Sequence, residues 1–181
     1  MTAEEYKKQI KRSRQEKNKF FSSHPQSPIP ANEQENFTGL NYFEPDLKYR
    51  FELELDEFEE KDTVKINDTG GNLREYLVWG KFTFALQDKA CTLFAYKSNP
   101  EDEHVFVPFK DETNGKETYG AGRYLELYED RDKIDQNKWA LDLNLATNPW
   151  CAYNPKYVCP LIPSQNILEL RIPAGEKNYE K

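Results

Sequence analysis

After Ser22 the chain never again sustains a helical repeat, and this restricts its fold more than any other feature. Three prolines within six residues, Pro25, Pro28 and Pro30, close the only helical stretch, because a proline ring cannot continue the backbone ladder. Beyond them come short runs in which apolar and polar residues alternate. Phe51, Leu53 and Leu55 interleave with Glu52, Glu54 and Asp56, a period of two that gives one buried face and one carboxylate face. Further strands are expected at 75–86, 91–96, 105–109, 123–128, 139–143 and 166–172, all rich in aromatic or branched side chains. With no crossover helices to join them, parallel βαβ units are excluded. The expected fold class is mainly β, an antiparallel meander that forms a barrel or sandwich, with one N-terminal helix.

That helix is expected over 3–21. Thr2 and Glu5 stand at capping-box spacing, so each can bond the other's backbone N–H. Its apolar positions are sparse (Tyr6, Ile10, Phe20 and Phe21), so it should dock by its ends and lie outside any site. The organisation is therefore an N-terminal helix, 1–21, and a single β-domain, 22–181, long enough to bury a core. Eleven Phe, eleven Tyr and three Trp must carry much of that core. One echo runs along the chain: Asp68 and Asp111 each precede a tyrosine by eight residues, and Gly80-Lys81-Phe82 and Gly122-Arg123-Tyr124 follow. Two similar hairpins or a duplicated half-barrel both explain it.

Charge narrows the function classes. The net charge is −7, yet residues 1–21 hold seven basic and three acidic side chains, leaving −11 on the remainder. A body this acidic repels phosphates, so no nucleic-acid partner is expected. No apolar run is long enough for a membrane span, and the first residues lack a signal peptide's apolar core, so the expectation is a soluble cytoplasmic protein without a membrane partner. Cys91, Cys151 and Cys159 are too few for a disulfide framework. Seven residues separate Cys151 from Cys159, wider than paired zinc ligands, so no metal site is expected; reduced thiols or one disulfide between them both fit. Phosphate-binding loops, dinucleotide fingerprints and nucleophile elbows are absent, and no cofactor is expected.

Two segments concentrate polar chemistry. Residues 111–124 carry three glycines, which allow close backbone approach to a ligand, and end on Arg123, whose planar fork suits a carboxylate or phosphate. Residues 142–163 form a long connection with two Asn-Pro turns, one wall of a cavity. The favoured reading is a site for a small polar or anionic ligand between them. Arg123 would be the anion clamp, and Asp111, Thr113, Tyr119, Asn144 and Asn148 would be the orienting groups. The bland alternative is an Arg123–Asp111 salt bridge that holds the loop. A further one is a hydrolase or lyase using Asp111 or Tyr119 as proton carrier. The stripe Glu52, Glu54 and Asp56 is expected to face solvent.

With these residues in view, the chain resembles the bacterial and archaeal family DUF1684. The resemblance rests on Phe109-Lys110-Asp111-Glu112-Thr113 with Thr118-Tyr119, on Gly122-Arg123-Tyr124-Leu125 and on Asp142-Leu143-Asn144 with Asn148-Pro149. Cys151-Ala152-Tyr153, Cys159-Pro160-Leu161, Asn166 and Ala174-Gly175-Glu176-Lys177 continue it. Upstream, Ser27-Pro28-Ile29-Pro30 and the run from Phe37 to Phe43 also match. Leu143, Thr147, Trp150, Ile162 and Gln165 depart from the family's usual residues. The resemblance implies one domain over nearly the whole chain and a site among these motifs, and no activity.

Overall fold

A computed structural model describes residues 1–180. Helix α1 spans Ala3–Ser23, and the capping box is present: the Thr2 side chain accepts from the Glu5 N–H, and the Glu5 carboxylate from the Thr2 N–H. The strands are β1 (Arg50–Glu54), β2 (Asp56–Glu57), β3 (Thr63–Asn67), β4 (Leu73–Leu86), β5 (Lys89–Lys97), β6 (His104–Phe109) and β7 (Arg123–Tyr128). A one-turn helix α2 (Glu129–Asp132) and strand β8 (Lys138–Asp142) complete the elements that matter here. The protein is mainly β, with antiparallel sheets and one long N-terminal helix.

The strands form two sheets. β1 and β8 pair as a ribbon, and β2-β4-β5-β6-β7 forms a larger sheet in which β3 also pairs with β4. The larger sheet is open, with different strands at its two ends, so its hydrogen bonding does not close into a barrel. The acidic run of the sequence joins the sheets. β1 pairs with β8, Leu55 buries its side chain and donates to the Asn137 carbonyl, and at Asp56 the chain crosses to pair with Lys81 of β4. Gly80 permits that crossing: a Cβ there would lie 2.6 Å from the Asp56 carbonyl oxygen. Glu52, Glu54 and Asp56 face outward.

Period-two patterning places the main core. Phe82, Phe84 and Leu86 of β4 are buried and alternate with exposed Thr83 and Ala85. They meet Leu93, Val105, Val107, Leu125, Leu127, Trp139 and Leu141 in one cluster between sheet and ribbon. Each such side chain contributes about 1.5–3 kcal/mol of burial. Gln87 and Asp88 turn β4 into β5 with φ of 53° and 60°, the paired left-handed conformation of a two-residue hairpin.

The expected strand at 166–172 is a correction. Its alternation holds, with Leu168, Leu170 and Ile172 buried and Ile167, Glu169 and Arg171 exposed, but no ladder forms. The segment runs parallel beside residues 110–112, meeting them through an isolated bridge and scattered bonds. The Asn166 side chain at its start is tied to the larger sheet. It fills the gap where β5 and β6 diverge, accepting from the Phe94 N–H (2.8 Å) and donating to the Phe94 and Pro108 carbonyls (2.9 and 2.7 Å). A side chain thus bridges β5 and β6 where their backbone pairing lapses. The sequence echo resolves into two hairpins of one open sheet, β3–β4 headed by Asp68 and β6–β7 headed by Asp111.

Candidate functional site

Gly122, at φ +112°, swings the chain into β7 and turns Arg123 inward with Leu125 and Leu127. The Arg123 side chain exposes none of its surface. Its Nη2 donates to an Asp111 carboxylate oxygen (3.0 Å) and to the Ile172 carbonyl (3.0 Å). Its Nη1 donates to the Ala174 carbonyl and, at 3.3 Å, to that of Glu176. Burial lowers the guanidinium's pKa and Asp111 opposes the shift. Asp111 is equally committed: it accepts from the Thr113 N–H (3.2 Å), the Thr113 hydroxyl (2.8 Å) and the Ile172 N–H (2.7 Å) as well. The Thr113 hydroxyl also meets that of Thr118 at 2.8 Å. Arg123, Asp111 and Thr113 therefore form a buried brace that ties loop 111–118 to the segment Ile172–Glu176.

The space lies next door, beneath α1. A cavity of about 380 Å³ is walled by α1, by Leu125 to Tyr128 of β7, and by residues between Asp142 and Thr147. The helix presents a stripe at i, i+4, i+8, i+11 and i+15: Tyr6, Ile10 and Phe21 are buried, while Arg14 and Lys17 between them are half-buried. The ends are apolar and the middle is cationic, so the helix fastens by its ends, as expected, and roofs a polar space, which was not expected. Tyr6 is tied to Asp142, its hydroxyl lying 2.9 Å from both carboxylate oxygens. Asp142 also accepts from the Asn144 N–H and side-chain amide, both at 3.0 Å, and burial raises its pKa against those bonds. Asn144 in turn clasps Asp46, accepting from its N–H (3.0 Å) and donating to its carbonyl (2.9 Å).

The wall carries four cations and four carboxylates, but their partners differ. Lys17 contacts Glu176, which also accepts from the Tyr153 hydroxyl and the Asn148 N–H. Arg131 is paired with Asp132, and Arg50 with Glu52. Arg14 has no carboxylate among the ion pairs of the described residues. It donates to the Phe43 carbonyl (2.7 Å) and the Asn144 carbonyl (3.3 Å), and lies 4.4 Å over the Tyr42 ring. Its Nε is buried with no hydrogen-bond partner, and so is the Tyr42 hydroxyl. Desolvation lowers the Arg14 pKa, and desolvation raises that of Tyr42, with Glu176 adding to the rise.

The expected site residues thus separate. Asn144 lines the cavity; Arg123, Asp111 and Thr113 brace the wall behind Glu176; Asn148 holds Glu176 through its backbone and the Lys177 carbonyl through its amide. Tyr119 lies apart, its hydroxyl 3.6 Å from Cys151 Sγ. Burial, then that contact, raise the Tyr119 pKa to about 12. Arg14 and Lys17 escaped sequence reading, since basic residues on a charged helix look like a solvated face. The signal was their spacing, on the same stripe as Tyr6, Ile10 and Phe21.

With this geometry established, comparison with known proteins is informative. The family described as "Protein of unknown function (DUF1684)" matches residues 35–177. The chain belongs to DUF1684. No curated protein matches it. Among solved structures it is similar to the solution NMR structure of the uncharacterized protein from gene locus rrnAC0354 of Haloarcula marismortui, with 40% identity and a TM-score of 0.72. The match covers 96% of this chain and 95% of that one, so it includes α1 as well as the DUF1684 region. No helix among the described residues is long and apolar enough to cross a membrane, and no group of three or more His, Cys, Asp or Glu is arranged to hold a metal ion.

Proposed function

We infer that the cavity beneath α1 binds a small ligand bearing a carboxylate or phosphate, and that this is a binding site rather than a surface for macromolecules. The observation that carries the reading is Arg14. Its guanidinium is partly desolvated, makes no direct ion pair with a carboxylate among the described residues, and has a buried donor without a partner on the wall of a 380 Å³ cavity. A charge taken from water without a counter-ion is costly, and an anion in the cavity removes that cost. Tyr42 supplies a second unanswered group, a hydroxyl able to donate to the same ligand. The volume falls within the range of small-molecule sites. Asn144 lines the same cavity and its carbonyl helps hold Arg14 in place, and Lys17, in contact with Glu176, adds charge to the wall. Arg123, with Asp111 and Thr113, fixes the segment that carries Glu176, and acts on the ligand through that wall. The ribbon facing the larger sheet across one core is best taken as an irregular open sandwich.

The test is native mass spectrometry of freshly purified protein, followed by thermal shift with phosphate, citrate, and sugar phosphates. Binding to the folded state raises the melting temperature by mass action. Arg14→Gln should abolish the shift. Tyr42→Phe should leave the empty protein at least as stable, because it deletes a buried hydroxyl without a partner, while reducing the anion's effect. Equal shifts in the wild type and Arg14→Gln would remove the basis of this reading.

A further inference from the structure

A second chemical centre lies outside the cavity, at the junction of the two polar segments. Cys151 sits in a short 3-10 turn, Trp150–Ala152, and is half-buried. Cys159 is buried behind it, held by a hydrogen bond from its N–H to the Thr69 hydroxyl (3.1 Å) and from the Thr69 N–H to its carbonyl (2.9 Å). Both thiols are free, and their side chains are neighbours, each acting on the other's ionisation. The Tyr119 hydroxyl approaches Cys151 Sγ from the other side at 3.6 Å. The Cys159 thiol and the Tyr119 hydroxyl therefore both lie against Cys151, while the third cysteine, Cys91, lies in the main core.

We propose that Cys151 and Cys159 form a peroxide-reactive dithiol, with Cys151 the attacking sulfur, Cys159 the resolving one and Tyr119 the positioning donor. The roles follow from access and from hydrogen bonding. Cys151 is the more exposed of the two, beside Trp150, which has 38% of its surface exposed. The neighbouring Cys159 thiol, with Tyr119 beside it, lowers the Cys151 pKa against the effect of burial, and the same contact together with burial raises that of Cys159. The more exposed sulfur is thus the one favoured as thiolate, the nucleophilic form.

The chemistry balances with hydrogen peroxide as the oxidant. The Cys151 thiolate attacks one peroxide oxygen; the S–O bond forms, the O–O bond breaks, and the departing hydroxide takes a proton to become water. Sulfur is oxidised to the sulfenic acid and peroxide is reduced by two electrons. Cys159 sulfur then attacks the sulfenic sulfur. An S–S bond forms, the S–O bond breaks, and hydroxide leaves as water with the proton from the Cys159 thiol. The sum is two thiols and one hydrogen peroxide giving one disulfide and two waters.

The full chain treated with equimolar hydrogen peroxide should lose two hydrogens by intact mass, and peptide mapping should join Cys151 to Cys159 with Cys91 still a free thiol. Cys159→Ser should stop at a sulfenic acid on Cys151, captured by dimedone, and Cys151→Ser should give no adduct on Cys159. Tyr119→Phe should fold normally and move the pH midpoint of Cys151 alkylation by iodoacetamide upward, a shift that a purely structural role for the tyrosine would not produce. Oxidation of Cys91 or Cys159 ahead of Cys151 in the wild type overturns the assignment. So does a wild-type Cys151 sulfenic acid that persists without forming the disulfide.

Discussion

Replacing Arg123 with lysine separates a brace from a clamp, because lysine keeps the charge and loses the fork. Arg123 uses two nitrogens on four acceptors: Asp111 and Ile172 through Nη2, Ala174 and Glu176 through Nη1. A single ammonium can occupy the place of one nitrogen, so about two acceptors lose their donor. Leaving a buried polar group unanswered costs about 1–3 kcal/mol, so two of them give roughly 2–6 kcal/mol for Arg123→Lys. For a chain of this size that lowers the melting temperature by about 5–25 °C. Arg123→Ala should cost more than Arg123→Lys, since all four acceptors lose their donor and the Asp111 carboxylate then stays buried without its cation. Urea denaturation followed by tryptophan fluorescence measures both. The brace reading also requires Arg123 and Asp111 to be coupled, so the double substitution should cost less than the two single ones added together. A wild-type-like denaturation midpoint for Arg123→Lys, accompanied by loss of the anion-induced melting shift, would refute the brace and restore Arg123 as a ligand clamp.

Three further outcomes are expected. The Asp142 pKa is raised above its ordinary 3.8 in the folded protein, so its protonated form adds stability that is complete below that value and lost as pH rises through the folded-state pKa. Asp142→Asn lacks this dependence, so the wild type's stability relative to it in urea melts should fall as pH rises above the ordinary carboxylate value of 3.8; a relative stability that grows with pH would reverse the sign. Gly122→Ala would bring a Cβ within 2.4 Å of Ile162 Cγ1 at φ +112°, so it should destabilise by about 2–5 kcal/mol. Gly71→Ala, at φ +82° with no atom nearby, should cost only about 1–2 kcal/mol, and equal midpoints for the two would contradict the packing at Ile162. Removing residues 1–23 exposes the partners of Tyr6, Ile10 and Phe21, a loss of about 5–9 kcal/mol. Against a usual total of roughly 5–15 kcal/mol, the truncated chain should melt poorly or not cooperatively, and a sharp wild-type-like calorimetric transition would show that the helix is dispensable.

Local patterns were legible wherever their cause is local. The capping box, the period of two in β1 and β4, and the proline stop after α1 each involve residues within a few positions, and each stands as read. Asp111, Arg123 and Asn144, marked in the sequence as candidate site residues, are buried and heavily hydrogen-bonded. What no local pattern contains is which distant backbone answers them. The carbonyls of Ile172, Ala174 and Glu176 reach Arg123 from about fifty positions away and enclose it. The same holds for the helix. Its sparse apolar residues gave the end-on docking, but only the docked orientation turned Arg14 and Lys17 towards Tyr42 and Glu176 rather than towards water. Even the strand pattern at 166–172 was right in its alternation and silent about its ladder, because alternation reports burial and not which backbone lies alongside; here only residues 110–112 do. Periodicity determines which side of a segment is buried. Desolvation and the partners that remain determine whether a buried charge becomes a brace or an open site, and those are set only when segments far apart in the chain come together.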